Sequence, residues 1–337
     1  MPASLVKPSA EPIRPPAHCT GGVLGIAFLG CGGITHLHSR TLRALGERVR
    51  CFYASRDRNR AEEFARRHGG AGRFGSYRAA LEDSRVEAVV VATPPALHLK
   101  LTLEAVAHGK HVIVEKPAFL RSTDVAQVEA LAARTGCQVL VAENYAYKPL
   151  ALLLAKVVTS GELGEVLFVH VNATKLQATA DWRANGHLAG GGALFEGGVH
   201  WMDLMAHLGL RVESVQGYRP GLPGGPERSM LVVLQYEEGG VGTLLHSWET
   251  PALFRGLRLS KISGTRGSVT FESNGFFAVI RGRRQRLVLP GLSDLRGYRA
   301  MFRDFFAALR TGNPPRMTLA RARLDLQLVE AAYGSLP

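Results

Sequence analysis

Residues 23–39 read VLGIAFLGCGGITHLHS, an apolar run that passes through a glycine-rich turn straight into helical spacing. That order builds a β-strand, a tight turn and an α-helix in succession, the opening unit of a doubly wound parallel sheet. Gly30 suits the tight turn and Gly32 lets backbone approach a ligand, while the helix that follows offers unpaired N–H groups and the positive end of its dipole. The turn therefore favours an anion, and a dinucleotide pyrophosphate matches the pattern. Thr35 stands where the usual fingerprint has a third glycine or alanine, so a purely structural turn competes with this reading for the segment taken alone.

The end of the next strand bears on the cofactor. An apolar run at residues 49–54 is followed by Ser55-Arg56-Asp57, about 20 residues beyond the glycines, where the fold meets the ribose. A free 2′-hydroxyl is usually met there by an acidic side chain. Ser55 beside Arg56 suits a phosphate monoester instead, through charge-assisted bonds worth roughly 1.5–3 kcal/mol each. NADP(H) is therefore the expected cofactor in preference to NAD(H), with Arg60 as a second phosphate contact. A solvated arginine on a surface turn is the competing reading.

At 337 residues and 46% hydrophobic, the chain is long enough for two domains with substantial cores. Lys and Arg number 41 against 28 Asp and Glu, a net charge of +13 that favours anionic partners. No block of five or six like charges occurs, which argues against a nucleic-acid surface. Cys19, Cys31, Cys51 and Cys137 have neither Cys-x-x-Cys nor metal-ligand spacing, so no metal site is expected and a reduced, cytoplasmic compartment fits. Residues 1–20 are proline-rich without an apolar core; they read as a disordered extension, not a signal peptide or anchor. No run of 18 apolar residues exists to span a membrane.

From residue 24 to 142 strand and helix signals alternate, giving an N-terminal Rossmann domain over residues 21–148 with a doubly wound parallel sheet. Beyond Pro149 the pattern changes. A helix at 150–159 precedes expected strands at 166–175, 212–218, 230–236, 241–248 and, in pieces, 257–280, with 237–240 as a hairpin loop. Helices at 298–309 and 319–333 close the chain. Residues 149–337 thus read as an α+β domain for substrate binding and oligomerisation, with a large, mostly antiparallel open sheet and a last helix packing back on the first domain.

Three further segments join the glycine turn: Thr93-Pro94-Pro95-Ala96-Leu97-His98, the run 109–117 ending in Glu115-Lys116-Pro117, and the run 190–203, GGGALFEGGVHWMD. In this order and spacing the chain, from about residue 23 to 333, resembles the glucose-fructose oxidoreductase, inositol dehydrogenase and MocA (Gfo/Idh/MocA) family. The resemblance implies carbinol–carbonyl redox chemistry on a sugar, nucleotide sugar or cyclitol-like compound, and a homodimer or homotetramer formed through the C-terminal sheet. It implies cofactor contacts from Gly30, Gly32, Gly33, Ile34, Thr93, Pro94, His98, Glu115 and Lys116, with Lys116 also reaching the substrate. His200 takes the position of the usual acid/base residue, and Asp203 lies one helical turn on.

The residue types suit that chemistry. A carbon that gains or loses hydride carries an oxygen that must gain or lose a proton, and imidazole titrates in the right range. Lys116 can stabilise the developing alkoxide and lower the histidine's pKa. If residues 196–200 are helical, their i, i+4 spacing lets Glu196 hold the His200 ring. Glu196 stands where most relatives have Asp, and the family's arginine-rich segment after the fifth strand is here Glu143-Asn144-Tyr145-Ala146-Tyr147-Lys148-Pro149, so Tyr145 or Tyr147 could replace a proton donor or sugar contact. Lys175, Trp182 and Arg183 complete the expected substrate side. Two other readings stay open: a glycoside hydrolase working by transient oxidation, and a non-catalytic NADP-binding sensor.

Overall fold

Runs as short as Ala88–Val91 and His111–Val114 are buried along their whole length, as strands covered on both faces by helices require. The structure, a computed structural model, describes residues 22–336 except 180, 222–224, 253 and 255; residues 1–20, expected to be disordered, lie outside the described residues. The first sheet comprises β1 (Leu24–Leu29), β2 (Val49–Ala54), β3 (Gly72–Phe74), β4 (Ala88–Val91), β5 (His111–Val114) and β6 (Val139–Val141). They pair in parallel in the order β3-β2-β1-β4-β5-β6. Helices α1 (Gly33–Leu45), α2 (Arg58–His68), α3 (Tyr77–Glu82), α4 (His98–Ala107) and α5 (Val125–Thr135) connect them. Strand order reverses between β1 and β4, so a crevice opens at their carboxyl ends.

Further along come α6 (Pro149–Thr159), β7 (Val166–Thr174), α7 (Gly186–Ala189), a π-helical turn at Leu194–Gly198 and α8 (Val199–Ala206). Then follow β8 (Val212–Tyr218), β9 (Ser229–Tyr236), β10 (Val241–Ser247), β11 (Leu259–Gly264), β12 (Ser268–Glu272), β13 (Ala278–Arg281) and β14 (Gln285–Val288). With β7 they form a sheet of order β14-β13-β12-β11-β7-β10-β9-β8, antiparallel except where β7 meets β10. The turn joining β9 to β10 closes at Gly239, whose φ of 86° suits glycine. Strands β3 and β14 escape a periodicity reading because they are short, and β14 is exposed at the sheet edge.

Alternation along the strands gives the second sheet two unlike faces. Val169, Val171, Val232, Leu234, Leu244 and Ile262 point into the core with Met202 and Met205 of α8. Phe168, Leu245 and Leu259 point the other way and are exposed. Two helices finish the chain, α9 (Tyr298–Thr311) and α10 (Leu319–Gly334). The aromatic stripe of α9 is core: Phe302 and Phe305 are fully buried, and the rings of Tyr298 and Phe302 meet His38 of α1 edge-on. Helix α10 lies against the segment before α5, where Ser122 donates both its N–H and its hydroxyl to Glu330 at 2.7 and 2.6 Å. Among the described residues no helix is long and apolar enough to cross a membrane.

Candidate active site

The glycine turn after β1 is built for close approach. Gly30 has φ +116°, and a Cβ there would stand 2.4 Å from the Ala92 carbonyl oxygen. Thr35, in place of the third glycine, donates its hydroxyl to the Gly30 carbonyl at 2.8 Å and so ties the turn to the first turn of α1. Gly32 and Gly33 have open space where a Cβ would lie, beside the unpaired N–H groups that begin α1. Arg60 donates through Nε to the Cys31 carbonyl at 2.7 Å, which brings its guanidinium to the turn. Across the crevice, the Thr93 hydroxyl is buried without a partner among the described residues. A cradle left open by two glycines, with an orphaned hydroxyl opposite, fits a nicotinamide dinucleotide.

At the ribose position Ser55 is buried, its Oγ accepting from the Asp57 N–H at 3.1 Å, and Arg56 is exposed. The Asp57 carboxylate caps α2 by accepting from the N–H groups of Asn59 and Arg60. It is thereby committed to the helix.

Two expected cofactor contacts serve as supports instead. His98 is 1% exposed, with its ring nitrogens 2.8 Å from the Thr93 carbonyl and 2.9 Å from the Pro117 carbonyl. It pins the loop after β4 to the loop after β5 and has no ring nitrogen to spare for a ligand. Glu115 turns inward to His38 at 2.5 Å. Its burial opposes ionisation, but the His38 bond and the charges of His38 and Lys116 keep its carboxyl below the ordinary range.

Between the sheets lies a cavity of about 530 Å³ onto which Lys116, Tyr145, Lys175, Arg183, Glu196 and His200 converge. Lys116 extends from the end of β5 and donates from Nζ to the Glu196 carbonyl oxygen at 2.7 Å, with the Glu196 carboxylate at 3.6 Å. Arg183 reaches that carboxylate at 3.2 Å. Burial would raise the Glu196 pKa; the charges of Lys116 and Arg183 outweigh it and hold the carboxyl at about 2.

The ring of His200 is held by Glu143, not by Glu196. His200 Nδ1 sits 2.6 and 2.8 Å from the two Glu143 oxygens, and the imidazole stacks on Tyr145 at 4.6 Å between centroids. Residues 194–198 wind as a π-helical turn, and although Glu196 and His200 line the same cavity, the Glu196 carboxylate is taken by Lys116 and Arg183 and does not reach the ring. Glu143 follows β6 and caps a short 3₁₀ turn by accepting from the Tyr145 N–H at 2.9 Å. Burial pushes the Glu143 pKa up to about 7, and burial reinforced by the Lys116 charge pushes His200 well below its ordinary value. Near neutrality the imidazole is therefore uncharged; once pH exceeds about 7 and Glu143 is ionised, the carboxylate can only accept, so Nδ1–H donates to it and Nε2 is free to accept.

Other expected residues are placed outside the cavity. Tyr147 turns away, its hydroxyl donating to Asp304 at 2.8 Å and accepting from the Met317 N–H. Trp182 lies under the Arg183 guanidinium at 4.5 Å and is not part of the cavity wall. Asp203 is fully buried and paired through both oxygens with Arg321. It lies close enough to His207 and Asp325 for the three to share an ion, but the Arg321 guanidinium already takes both Asp203 oxygens.

The sequence reading missed Glu143, Trp201, His246 and Arg258, of which the last three line the cavity. Glu143 carried a usable signal, since it stands just beyond the carboxyl end of a parallel strand, where such folds place ligand-facing groups. Trp201 follows His200 on α8, inside the 190–203 motif, whereas His246 and Arg258 lie in or beside strands of the second sheet with no motif to mark them.

Two family descriptions match in tandem: "Oxidoreductase family, NAD-binding Rossmann fold" over residues 24–143, and "GFO/IDH/MocA C-terminal domain" over residues 152–270. An uncharacterized oxidoreductase of Rhizobium meliloti is 30% identical over 301 residues, covering 84% of this chain and 87% of its own. A D-xylose 1-dehydrogenase (NADP(+)) of Haloferax volcanii is 27% identical over 324 residues, 93% of this chain and 96% of its own. Among solved structures, GenD2 from gentamicin A biosynthesis, in complex with NAD, superposes with a TM-score of 0.80 at 27% identity and 96% coverage of both chains.

Proposed function

The chain belongs to the Gfo/Idh/MocA family of NAD(P)-dependent oxidoreductases, and from that premise we propose that it interconverts a hydroxyl and a keto group on a carbohydrate-like substrate with NADP(H) as preferred cofactor. The observation that carries this is the convergence of Lys116 and His200 on one cavity at the carboxyl ends of the parallel strands. The cofactor, when bound, supplies or takes up hydride at its nicotinamide C4. Gly30, Gly32, Gly33, Ile34 and Thr93 would hold it.

The chain's own residues handle the proton. His200 Nε2 accepts the hydroxyl proton in oxidation and returns it in reduction, while Glu143 fixes the tautomer that leaves Nε2 free. Lys116 Nζ lies where it can donate to the same oxygen and stabilise developing negative charge. Glu196 bridges Lys116 and Arg183 and holds Lys116 against its own backbone carbonyl. The preference for NADP(H) rests on Ser55 and Arg56 at the ribose position, where the one neighbouring acid, Asp57, is spent on capping α2. The Haloferax relative is named for the same cofactor. The exposed apolar face of the second sheet supports self-association, which light scattering during size exclusion tests.

The deciding experiment follows NADPH consumption and NADP⁺ reduction across neutral and acidic sugars, cyclitols and nucleotide sugars. Redox turnover that disappears in both Lys116→Ala and His200→Ala upholds the assignment. A glycoside cleaved without net cofactor consumption would replace it with hydrolysis by transient oxidation.

A further inference from the structure

The charges around the cavity do not balance. Lys116, Lys175, Arg183 and Arg258 line it, against the single carboxylate of Glu196. Lys116 and Arg183 share that one carboxylate, so even the paired side keeps a net positive charge. The two histidines of the wall add no negative charge and stay neutral, since burial and the charge of Lys175 hold His246 down at about 3 and His200 is low for similar reasons.

Lys175 and Arg258 are left over, and they lie together. β7 and β11 pair antiparallel with Lys261 opposite His170, so Lys175, one residue past β7, and Arg258, one before β11, sit at the same end of the sheet. Both fall on the face that carries Ala173 and Ser260 toward the cavity. Lys175 has no ion-pair partner among the described residues; burial and the charges of Lys116, Arg258 and Arg183 disfavour its ammonium more than Glu196 favours it. Among the described residues the Arg258 side chain donates to the neutral side-chain oxygen of Asn274, lies 6.0 Å above the Trp201 ring, and keeps a buried Nε without a partner.

The other nearby acids are already engaged, Glu143 with His200 Nδ1 at 2.6 Å. Glu272 accepts from Asn274 Nδ2 at 2.8 Å and from the Gly275 N–H at 3.1 Å, and its charge favours the ammonium of the buried Lys148. His246 Nδ1 and Trp248 Nε1 are likewise buried without partners among the described residues. Half-buried cations and orphaned donors at one end of a cavity are costly unless a ligand supplies acceptors.

We propose that the substrate is an acidic sugar derivative, its carboxylate or phosphate held by Lys175 and Arg258 at the sheet end of the cavity while its reacting carbinol meets Lys116 and His200. This rests on the redox reading of the same cavity and narrows its substrate class. The net charge of +13 would also steer such an anion toward the protein.

The test is calorimetric titration of the NADP⁺-loaded protein with three probes: D-sorbitol, D-gluconate and inorganic phosphate. Gluconate is expected to bind at least about tenfold tighter than sorbitol, the return on one or two charge-assisted bonds. Lys175→Gln and Arg258→Gln should each remove most of that advantage, and Arg258→Lys should keep part of it, which separates lost charge from a misfolded site. Competition by phosphate at comparable strength assigns the anion to a phosphate ester, and gluconate alone assigns it to a carboxylate. Equal binding of sorbitol and gluconate, failure of both anions to bind, or an undiminished preference in the glutamine variants overturns the proposal. Anion binding that persists with no redox turnover on any sugar would instead sink the redox reading and leave this site standing.

Discussion

Glu196 lines the cavity and Glu143 stands behind its wall against His200; both are buried carboxylates, yet their surroundings drive them in opposite directions. On the Glu143 side the direct partners are a neutral imidazole and the Tyr145 N–H, and burial outweighs that bond and the charges of Lys116 and Arg321, so the proton is held more tightly, to about 7. On the Glu196 side two cations stand within 3.6 Å, so Coulomb attraction wins and the carboxyl loses its proton down to about 2. One region can exchange a proton near neutrality. The other is a fixed charge that positions Lys116.

The strongest way to sharpen that contrast is to delete the groups each carboxylate serves. His200→Ala and Lys116→Ala should each lower turnover by roughly 10²–10⁴-fold, the usual worth of acid–base assistance, as read by steady-state NADPH kinetics. Next comes the comparison of Glu143→Gln with Glu196→Gln. As pH falls through about 7, protonated Glu143 donates to His200 Nδ1 and shifts the ring proton to Nε2, so the rate of alcohol oxidation should decline there. Glu143→Gln should flatten that limb, whereas Glu196→Gln should keep it and lower the rate through a loosened Lys116.

Stability should separate the same two residues with opposite sign. Glu143 binds its proton more tightly folded than unfolded, so its contribution falls as pH rises from 4.5 to about 7 and stays unfavourable above. Glu196 binds its proton less tightly folded, so its contribution is fully present above 4.5 and is lost as pH drops through about 2. Each amounts to something on the order of 3 kcal/mol at its limit, measurable by urea unfolding of the two glutamine variants across pH. A parallel response in both variants would break the comparison.

Smaller effects probe the cofactor side. Arg56→Ala should weaken NADPH binding about tenfold and leave NADH binding unchanged in a fluorescence titration. Thr35→Gly, which removes the hydroxyl bond to Gly30 and adds a helical glycine, should cost about 1–2 kcal/mol of stability.

Much of the cofactor side was legible beforehand because it is made of backbone. Gly30 is required by a positive φ against Ala92, and residues 30–35 are contiguous, so a local pattern captures the whole device. The Lys116 and His200 segments could be recognised as motifs, but their partners could not. The orienting role expected of Glu196 assumed that its carboxylate was free to meet His200, whereas Lys116 and Arg183, 80 and 13 positions away along the chain, claim it. Tyr145 and Tyr147 look equivalent on paper; one stacks on His200 and the other is captured by Asp304 and Met317.

The sequence by itself determined the alternation of strand and helix, the anion-binding turn and the residue types available for proton transfer, because those depend on contacts a few positions apart. Only the tertiary structure decided that Glu143 rather than Glu196 faces His200, and that Lys175 and Arg258 share one end of a sheet. Those pairings join residues 57 and 83 positions apart along the chain, where strand register and buried charge, not local propensity, set who meets whom.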